Sequence, residues 1–181
     1  MFPAIFLDRD GVMVENRSTY IRTWDDVTFY PQALASLRRI NSTEHKIFII
    51  TNQSAVGRGI ISQSAAERIN LQLVREIESA GGRIDGVYMC PHSPEENCLC
   101  RKPQPGMILK AAAENSLDLG RSILIGDAIS DILAGQTAGV GVNVLVKTGR
   151  GATQIELPMA KQIPAFEVYD SLAEALSDLI S

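Results

Sequence analysis

Two carboxylates one residue apart, Asp8 and Asp10, followed by Gly11 and preceded by the apolar run Ala4-Ile5-Phe6-Leu7, are the residues of this chain best suited to chemistry. Such a run ending in acids and a glycine has the profile of a buried strand that stops in a tight turn. In open α/β sheets ligands bind beyond the carboxyl ends of the strands, so acids placed there face a crevice rather than the core. With Mg²⁺, which prefers hard oxygen ligands, the pair could serve as nucleophile and general acid/base. Asp and Gly are equally ordinary turn residues, and the hexapeptide by itself leaves both readings open.

A second group is Cys90-x-His92-x5-Cys98-x-Cys100, which gathers all three cysteines and one of the two histidines into eleven residues. Three thiolates and an imidazole make the closed tetrahedral shell of a structural zinc site. A disulfide suits neither an odd cysteine count nor a reducing cytoplasm. The other histidine, His45, stands between Glu44 and Lys46 and reads as a surface residue.

The elements that must position these groups alternate between apolar runs and amphipathic stretches, the pattern of a parallel sheet covered by helices on both faces. Ile47 to Ile50 precede Thr51-Asn52-Gln53, Val87 to Met89 precede Cys90, and Ile123 to Gly126 precede Asp127. Val142 to Val146 form a further short strand. Pro31 opens a helix with Ala33, Leu34, Leu37 and Ile40 on one stripe. Ser64-x-x-Glu67 reads as a capping box for a longer helix bearing Ile69, Leu73 and Ile77 and ended by Gly81-Gly82. Met107 to Ser116 and Ile129 to Ala138 are helical, and Ser171-x-x-Glu174 caps a last helix with Leu172, Leu176 and Leu179. The expected fold class is therefore α/β, a three-layer doubly wound parallel sheet in one domain over residues 1–181.

Taken in order, Asp8/Asp10, Thr51, Lys102 and Asp127/Asp131 resemble the haloacid dehalogenase-like phosphohydrolases. A closer resemblance covers most of residues 4–150. It rests on Phe6 to Gly11, Thr51-Asn52-Gln53-Ser54, Gly57-Arg58-Gly59, Cys90-Pro91-His92, Cys98 to Pro103 and Thr148-Gly149-Arg150. These look like the branch of the D-glycero-D-manno-heptose 1,7-bisphosphate 7-phosphatases and histidinol-phosphate phosphatases, whose zinc loop has matching spacing. The resemblance implies a Rossmann-like haloacid dehalogenase fold and attack on phosphorus by Asp8, giving an aspartyl-phosphate. Asp10 would protonate the departing oxygen and then deprotonate the hydrolytic water. Asp8, the backbone carbonyl of Asp10 and Asp127 would hold Mg²⁺, and Lys102 and the Thr51 hydroxyl would hold phosphate oxygens. Asn52, Gln53, Ser54 and Arg101 complete the substrate-binding candidates. Asp131, four residues after Asp127, would share its face of a helix and orient Lys102 or a metal-bound water. Only about 20 residues separate Asp10 from Pro31, which leaves no room for the cap domain of larger relatives and predicts an open cleft.

The resemblance implies D-glycero-D-manno-heptose 1,7-bisphosphate, cleaved at the 7-phosphate, as the substrate and histidinol phosphate as the alternative; Arg101 beside Lys102 could grip a second phosphate with its planar donor fork, which favours a bisphosphate. Val12 and Ala128 stand where Thr and Lys are common in the branch, which bears on substrate more than on reaction. Net charge is −4 with a pI near 5.2, without the basic face of a nucleic-acid binder, which sets aside a polynucleotide 3′-phosphatase. No window approaches the ~20 apolar residues of a membrane span and no leader pattern opens the chain, so a cytoplasmic monomer is expected. The rival from another class is a catalytically silent, zinc-containing binding protein; the intact carboxylates and Lys102 argue against it.

Overall fold

The computed structural model describes residues 1–180. Its six strands, β1 (Ala4–Leu7), β2 (Lys46–Asn52), β3 (Gly86–Cys90), β4 (Ile123–Gly126), β5 (Val142–Val146) and β6 (Glu167–Tyr169), form one sheet in the order β3-β2-β1-β4-β5-β6. Every pairing is parallel. The helices are α1 (Ala33–Arg39), α2 (Ser54–Gly57), α3 (Gln63–Ser79), α4 (Gly106–Asn115), α5 (Ile129–Ala138), α6 (Gly151–Gln154) and α7 (Leu172–Leu179).

Successive side chains of a strand point to opposite faces, and the alternation in β1 and β2 builds two cores. Ile5, Leu7, Ile47 and Ile49 face one way and are covered by Leu37 of α1, by Ile69, Leu73 and Ile77 of α3, and by Leu176 of α7. Ala4, Phe6, Phe48 and Ile50 face the other way against Met107, Ile108 and Ala111 of α4 and Ala134 of α5. Each such Leu, Ile or Phe, fully removed from water, contributes about 1.5–3 kcal/mol. The expected three layers follow from this two-sided burial.

Two local expectations are corrected, and one strand is added. The long helix begins at Gln63, one residue before Ser64, because Ser62 is its cap and accepts a hydrogen bond from the Ala65 amide at 3.1 Å. Ser171 does cap α7, accepting from the Glu174 amide, but the Glu174 carboxylate reaches back to the amide of Asp170. β6 has no counterpart in the sequence reading: Glu167-Val168-Tyr169 carries no apolar run, and its pairing with β5 comes from tertiary placement.

The strand order reverses between β1 and β4, with β2 and β3 on one side and β5 and β6 on the other. A crevice opens beyond the carboxyl ends of the strands at such a reversal. Asp8 follows β1 and Asp127 follows β4, so both acids stand at its floor, and the Asp8 amide donates to the Ile125 carbonyl at 2.9 Å. The excursion from β1 to α1 doubles back on itself, with Glu15 donating to Thr28 and Tyr30 to Met13. Among the described residues it forms no separate cap. Among the described residues no helix is long and apolar enough to cross a membrane.

Candidate active site

Two acids share one buried lysine, and two more stand beside them at the strand ends. Lys102 Nζ forms ion pairs with Asp8 Oδ1 at 2.8 Å and Asp131 Oδ1 at 2.6 Å and donates to the Ile50 carbonyl at 2.9 Å. Asp131 Oδ2 accepts from the Ala128 amide, so one residue both caps α5 and anchors the lysine. Asp127 Oδ2 accepts from Asn16 Nδ2 at 2.7 Å and from the Arg150 amide at 2.8 Å, while Oδ1 faces the Arg150 guanidinium at 3.1 Å. The side chains of Asp127, Asp131 and Asp8 are 0, 2 and 8 % exposed, and that of Asp10 is 24 % exposed. Asp10 is therefore the acid of this group best placed to meet a solvent-borne oxygen.

Burial pushes the Asp8 carboxyl up to about 7, against the lowering effect of Lys102 and with Asp131, Asp127 and Asp10 adding to the rise. Burial also works against the Lys102 charge, but Asp131 and Asp8 outweigh it and hold the ammonium above the usual lysine range. The cluster thus keeps its proton on the lysine, and the Asp8 charge is the costly one. Carboxylate oxygens of Asp8, Asp127 and Asp131 lie within 4.8 Å of one another. Three buried carboxylates outnumber Lys102 and Arg150, a set of hard oxygens with surplus negative charge that fits a divalent cation such as Mg²⁺.

Glycines make the close approach possible. Gly11 has φ +89° and a Cβ there would run into the Asp127 carboxylate; at Gly126 one would collide with Asp131. The cleft above the acids has a volume of about 480 Å³ and is lined by Arg17, Tyr20, Gln53, Arg101 and Arg150 among others. A larger groove of about 810 Å³ runs along the β3 edge past Leu71, Val87 and Met107, away from the carboxylates.

Cys90, His92, Cys98 and Cys100 also converge. Cys90 Sγ lies 3.5 Å from Cys98 Sγ and 3.2 Å from Cys100 Sγ, Cys98 and Cys100 are 3.4 Å apart, and His92 Nδ1 is 3.3 Å from Cys100 Sγ and 3.6 Å from Cys90 Sγ. The edges of a tetrahedral shell with metal–sulfur bonds of 2.3 Å would be about 3.8 Å, so the four donors stand close to a closed metal shell. Burial alone would raise the Cys98 thiol, but hydrogen bonds from Cys100, the Arg101 backbone and Cys90 outweigh it and bring it down to about 7; burial pushes Cys90 and Cys100 up. This loop is tied to the cleft. Gly57 of α2 donates to the Pro91 carbonyl, and Arg101 Nη1 donates to the His92 carbonyl at 3.3 Å.

The sequence-predicted residues are thus brought together at one end of the sheet, with refinements. Asn52 spends its amide on the Lys102 backbone, donating to its carbonyl and accepting from its N–H, both at 3.1 Å. Thr51 is buried, and its hydroxyl accepts from Gln53 Nε2 at 2.8 Å. Gln53 Nε2 also donates to Asp10 Oδ2 at 3.0 Å, and Ser54 opens α2 at the cleft wall. His45 is half-buried, bonded to Thr43. Sequence reasoning assigned no role to Arg9, Asn16, Asn70 or Arg150; for Arg150 the signal was its place in Thr148-Gly149-Arg150, and for Asn16 and Asn70 there was none.

A family profile described as HAD-hydrolase-like matches residues 99–175. The D-glycero-beta-D-manno-heptose-1,7-bisphosphate 7-phosphatase of Helicobacter pylori strain J99 is 40% identical over 144 residues, covering 79% of this chain and 82% of the relative. The protein of the same name from Photorhabdus laumondii is 35% identical, with 82% of each chain covered. The crystal structure of D,D-heptose 1,7-bisphosphate phosphatase from B. bronchiseptica, complexed with magnesium and phosphate, superimposes with a TM-score of 0.89 at 30% identity over 98% of both chains. The chain belongs to the haloacid dehalogenase-like phosphatases, in the branch of the heptose 1,7-bisphosphate phosphatases. It is an enzyme, a phosphoric monoester hydrolase.

Proposed function

We propose that the protein is a Mg²⁺-dependent phosphomonoesterase that removes the 7-phosphate of D-glycero-D-manno-heptose 1,7-bisphosphate through an aspartyl-phosphate on Asp8. The observation that carries the chemistry is Asp8 itself, a buried carboxylate at the switch point of the sheet, aimed by Lys102 and overlooked by the more exposed Asp10. The names of the relatives support the substrate.

Asp8 attacks phosphorus, and its own charge opposes a phosphate dianion, so fixed cations must offset the repulsion. Mg²⁺ held by Asp8, the backbone carbonyl of Asp10 and Asp127 would supply positive charge at the phosphate oxygens. Lys102 keeps the attacking carboxylate in place and presents its ammonium beside it. Asp10 gives its proton to the leaving oxygen, then takes one from the water that opens the aspartyl-phosphate; dividing one displacement into two is the gain of covalent catalysis. Gln53, whose amide also donates to Thr51, braces Asp10, Asp131 holds Lys102, and Arg101 grips the phosphate that is not cleaved.

The Cys90-His92-Cys98-Cys100 shell is assigned to structural zinc, with no open position for water and hence no chemistry of its own. Residues 1–181 are read as a single domain, supported by the one continuous sheet. A cytoplasmic setting goes with thiols that a zinc ion needs reduced. The deciding experiment compares kcat/KM for heptose 1,7-bisphosphate and histidinol phosphate in Mg²⁺ buffer. The sugar bisphosphate should be turned over at least tenfold better; faster hydrolysis of histidinol phosphate would replace it as the substrate.

A further inference from the structure

Arg9 separates the two catalytic acids in sequence and was a mere spacer in the sequence reading. In the structure it is a large side chain at only 1 % exposure, buried beneath Asp10. Each of its nitrogens has an assignment. Nε donates to Asp10 Oδ1 at 2.9 Å and Nη2 to Asp10 Oδ2 at 2.8 Å, a two-point fork on the carboxylate. Nη1 donates to Asn70 Oδ1 at 2.8 Å, and Asn70 is itself buried on α3 with its Nδ2 3.5 Å from Met89 Sδ. Adjacent strand residues point to opposite faces and could not pair in this way; the turn after β1, closed by the Met13 and Val14 amides on the Arg9 carbonyl, swings the two side chains together.

We infer that Arg9 is a positioning residue for proton transfer: its fork, braced by Asn70, fixes the plane of the Asp10 carboxylate and leaves Oδ1 as the atom that carries the proton. The inference rests on the reading of Asp10 as general acid/base. Two observations select the atom and the role. Oδ2 accepts from both Arg9 and Gln53, whereas Oδ1 accepts from Arg9 alone, so Oδ1 is the oxygen with a lone pair to spare, on a residue that lines the cleft. A guanidinium is also the side chain whose planar donors match a carboxylate at two points; a lysine would supply charge without direction.

The fork acts on the step itself. As Asp8 forms its bond to phosphorus and the phosphorus–ester oxygen bond breaks, the proton on Asp10 Oδ1 passes to that oxygen and the alcohol departs neutral. Asp10 is left as a carboxylate, and Arg9 stabilises the charge where it appears. In the second step water bonds to phosphorus, the phosphorus–Asp8 bond breaks, and the water proton returns to Asp10. Arg9 is closed off from water and does not line the cleft, so its removal should matter only where the leaving group needs a proton.

The test measures kcat/KM, which reports the chemistry up to departure of the alcohol, for heptose 1,7-bisphosphate and for p-nitrophenyl phosphate, whose phenolate leaves without help. General acid catalysis is worth about 10²–10⁴-fold. Arg9→Met should lose roughly 100-fold on the alkyl ester and less than about fivefold on the aryl ester. Added to Asp10→Asn, it should cost little more on the alkyl ester. Arg9→Lys, which keeps the charge without the fork, should lose about tenfold, again on the alkyl ester only; should Arg9→Met fail to fold, this variant decides. Equal losses on both esters, or full additivity with Asp10→Asn, would overturn the role of Arg9. Should Asp10→Asn itself lose equally on both esters, the acid assignment falls and this inference with it. A leaving-group dependence in Asp10→Asn that is absent from the Arg9 variants removes Arg9 alone.

Discussion

Catalysis and stability should part company at Asp8, and Asp8→Asn separates them. In the metal-free protein Asp8 is buried, shares its lysine with Asp131 and faces Asp127. Burial moves its carboxyl from 3.8 to about 7 despite Lys102. A tenfold change in proton affinity is about 1.4 kcal/mol, so an ionised Asp8 destabilises the fold by at most about 4 kcal/mol above pH 7. The amide recovers part of this, because Lys102 then keeps only Asp131 and the Ile50 carbonyl as charged and polar partners. A gain on the order of 2–3 kcal/mol is expected, or roughly 5–10 °C in Tm for a chain of this length. The sign with pH follows from the raised value. The folded chain holds this proton more tightly than the unfolded chain, so the contribution is fully present below 3.8 and is lost as pH rises through about 7. The benefit of Asp8→Asn should accordingly be largest near pH 7.5 and fall below half by about pH 5. Thermal unfolding followed by circular dichroism in Mg²⁺-free buffer without chelator, at both pH values and then with Mg²⁺ added, reads all of this. Mg²⁺ should raise the Tm of the wild type far more than that of the variant, and the variant should have no measurable turnover. An unchanged or lower Tm for Asp8→Asn in the Mg²⁺-free buffer would refute the picture of a site held against its own electrostatics. Residual turnover in a clean preparation would refute its role as nucleophile.

Cys98→Ala should lose the loop metal, about one zinc per chain in the wild type by elemental analysis, and lower both Tm and kcat while leaving the Mg²⁺ requirement unchanged; a metal-free wild type with full activity would sink the zinc assignment. Asn52→Ala strips two partners from the Lys102 backbone, which should cost about 1–3 kcal/mol in chemical denaturation and lower kcat roughly 10- to 100-fold as the ammonium drifts. Arg101→Ala should raise KM for the bisphosphate about tenfold or more and for a monophosphate much less, as expected where a guanidinium grips a phosphate; parallel changes would place Arg101 elsewhere.

These outcomes separate what composition along the chain can reveal from what it cannot. Asp8 and Asp127 were legible because each follows an apolar run, and a strand end at a reversal of strand order leaves its acids nowhere to face but the crevice. The cysteines were legible because the four candidate donors are local, eleven residues from first to last. The capping of α3 was misread because Ser62 and Ser64 are equally good cap residues, and only the geometry of the turn before the helix chooses between them. β6 was missed because an edge strand with few apolar residues is defined by its neighbour, not by its own pattern. The deeper gap is in partnership. Asn52 reaches Lys102 across 50 residues and Arg9 reaches Asn70 across 61. Polar side chains at strand ends look alike in a sequence whether they face a ligand or brace the group that does. Exposure separates them here: Asp10 opens to the cleft, while Arg9 and Asn70 behind it are closed off from water. Most buried polar groups find their hydrogen-bond partners inside the fold, so the supporting residues of this site are recognised by the absence of solvent. That property exists only after the chain has folded.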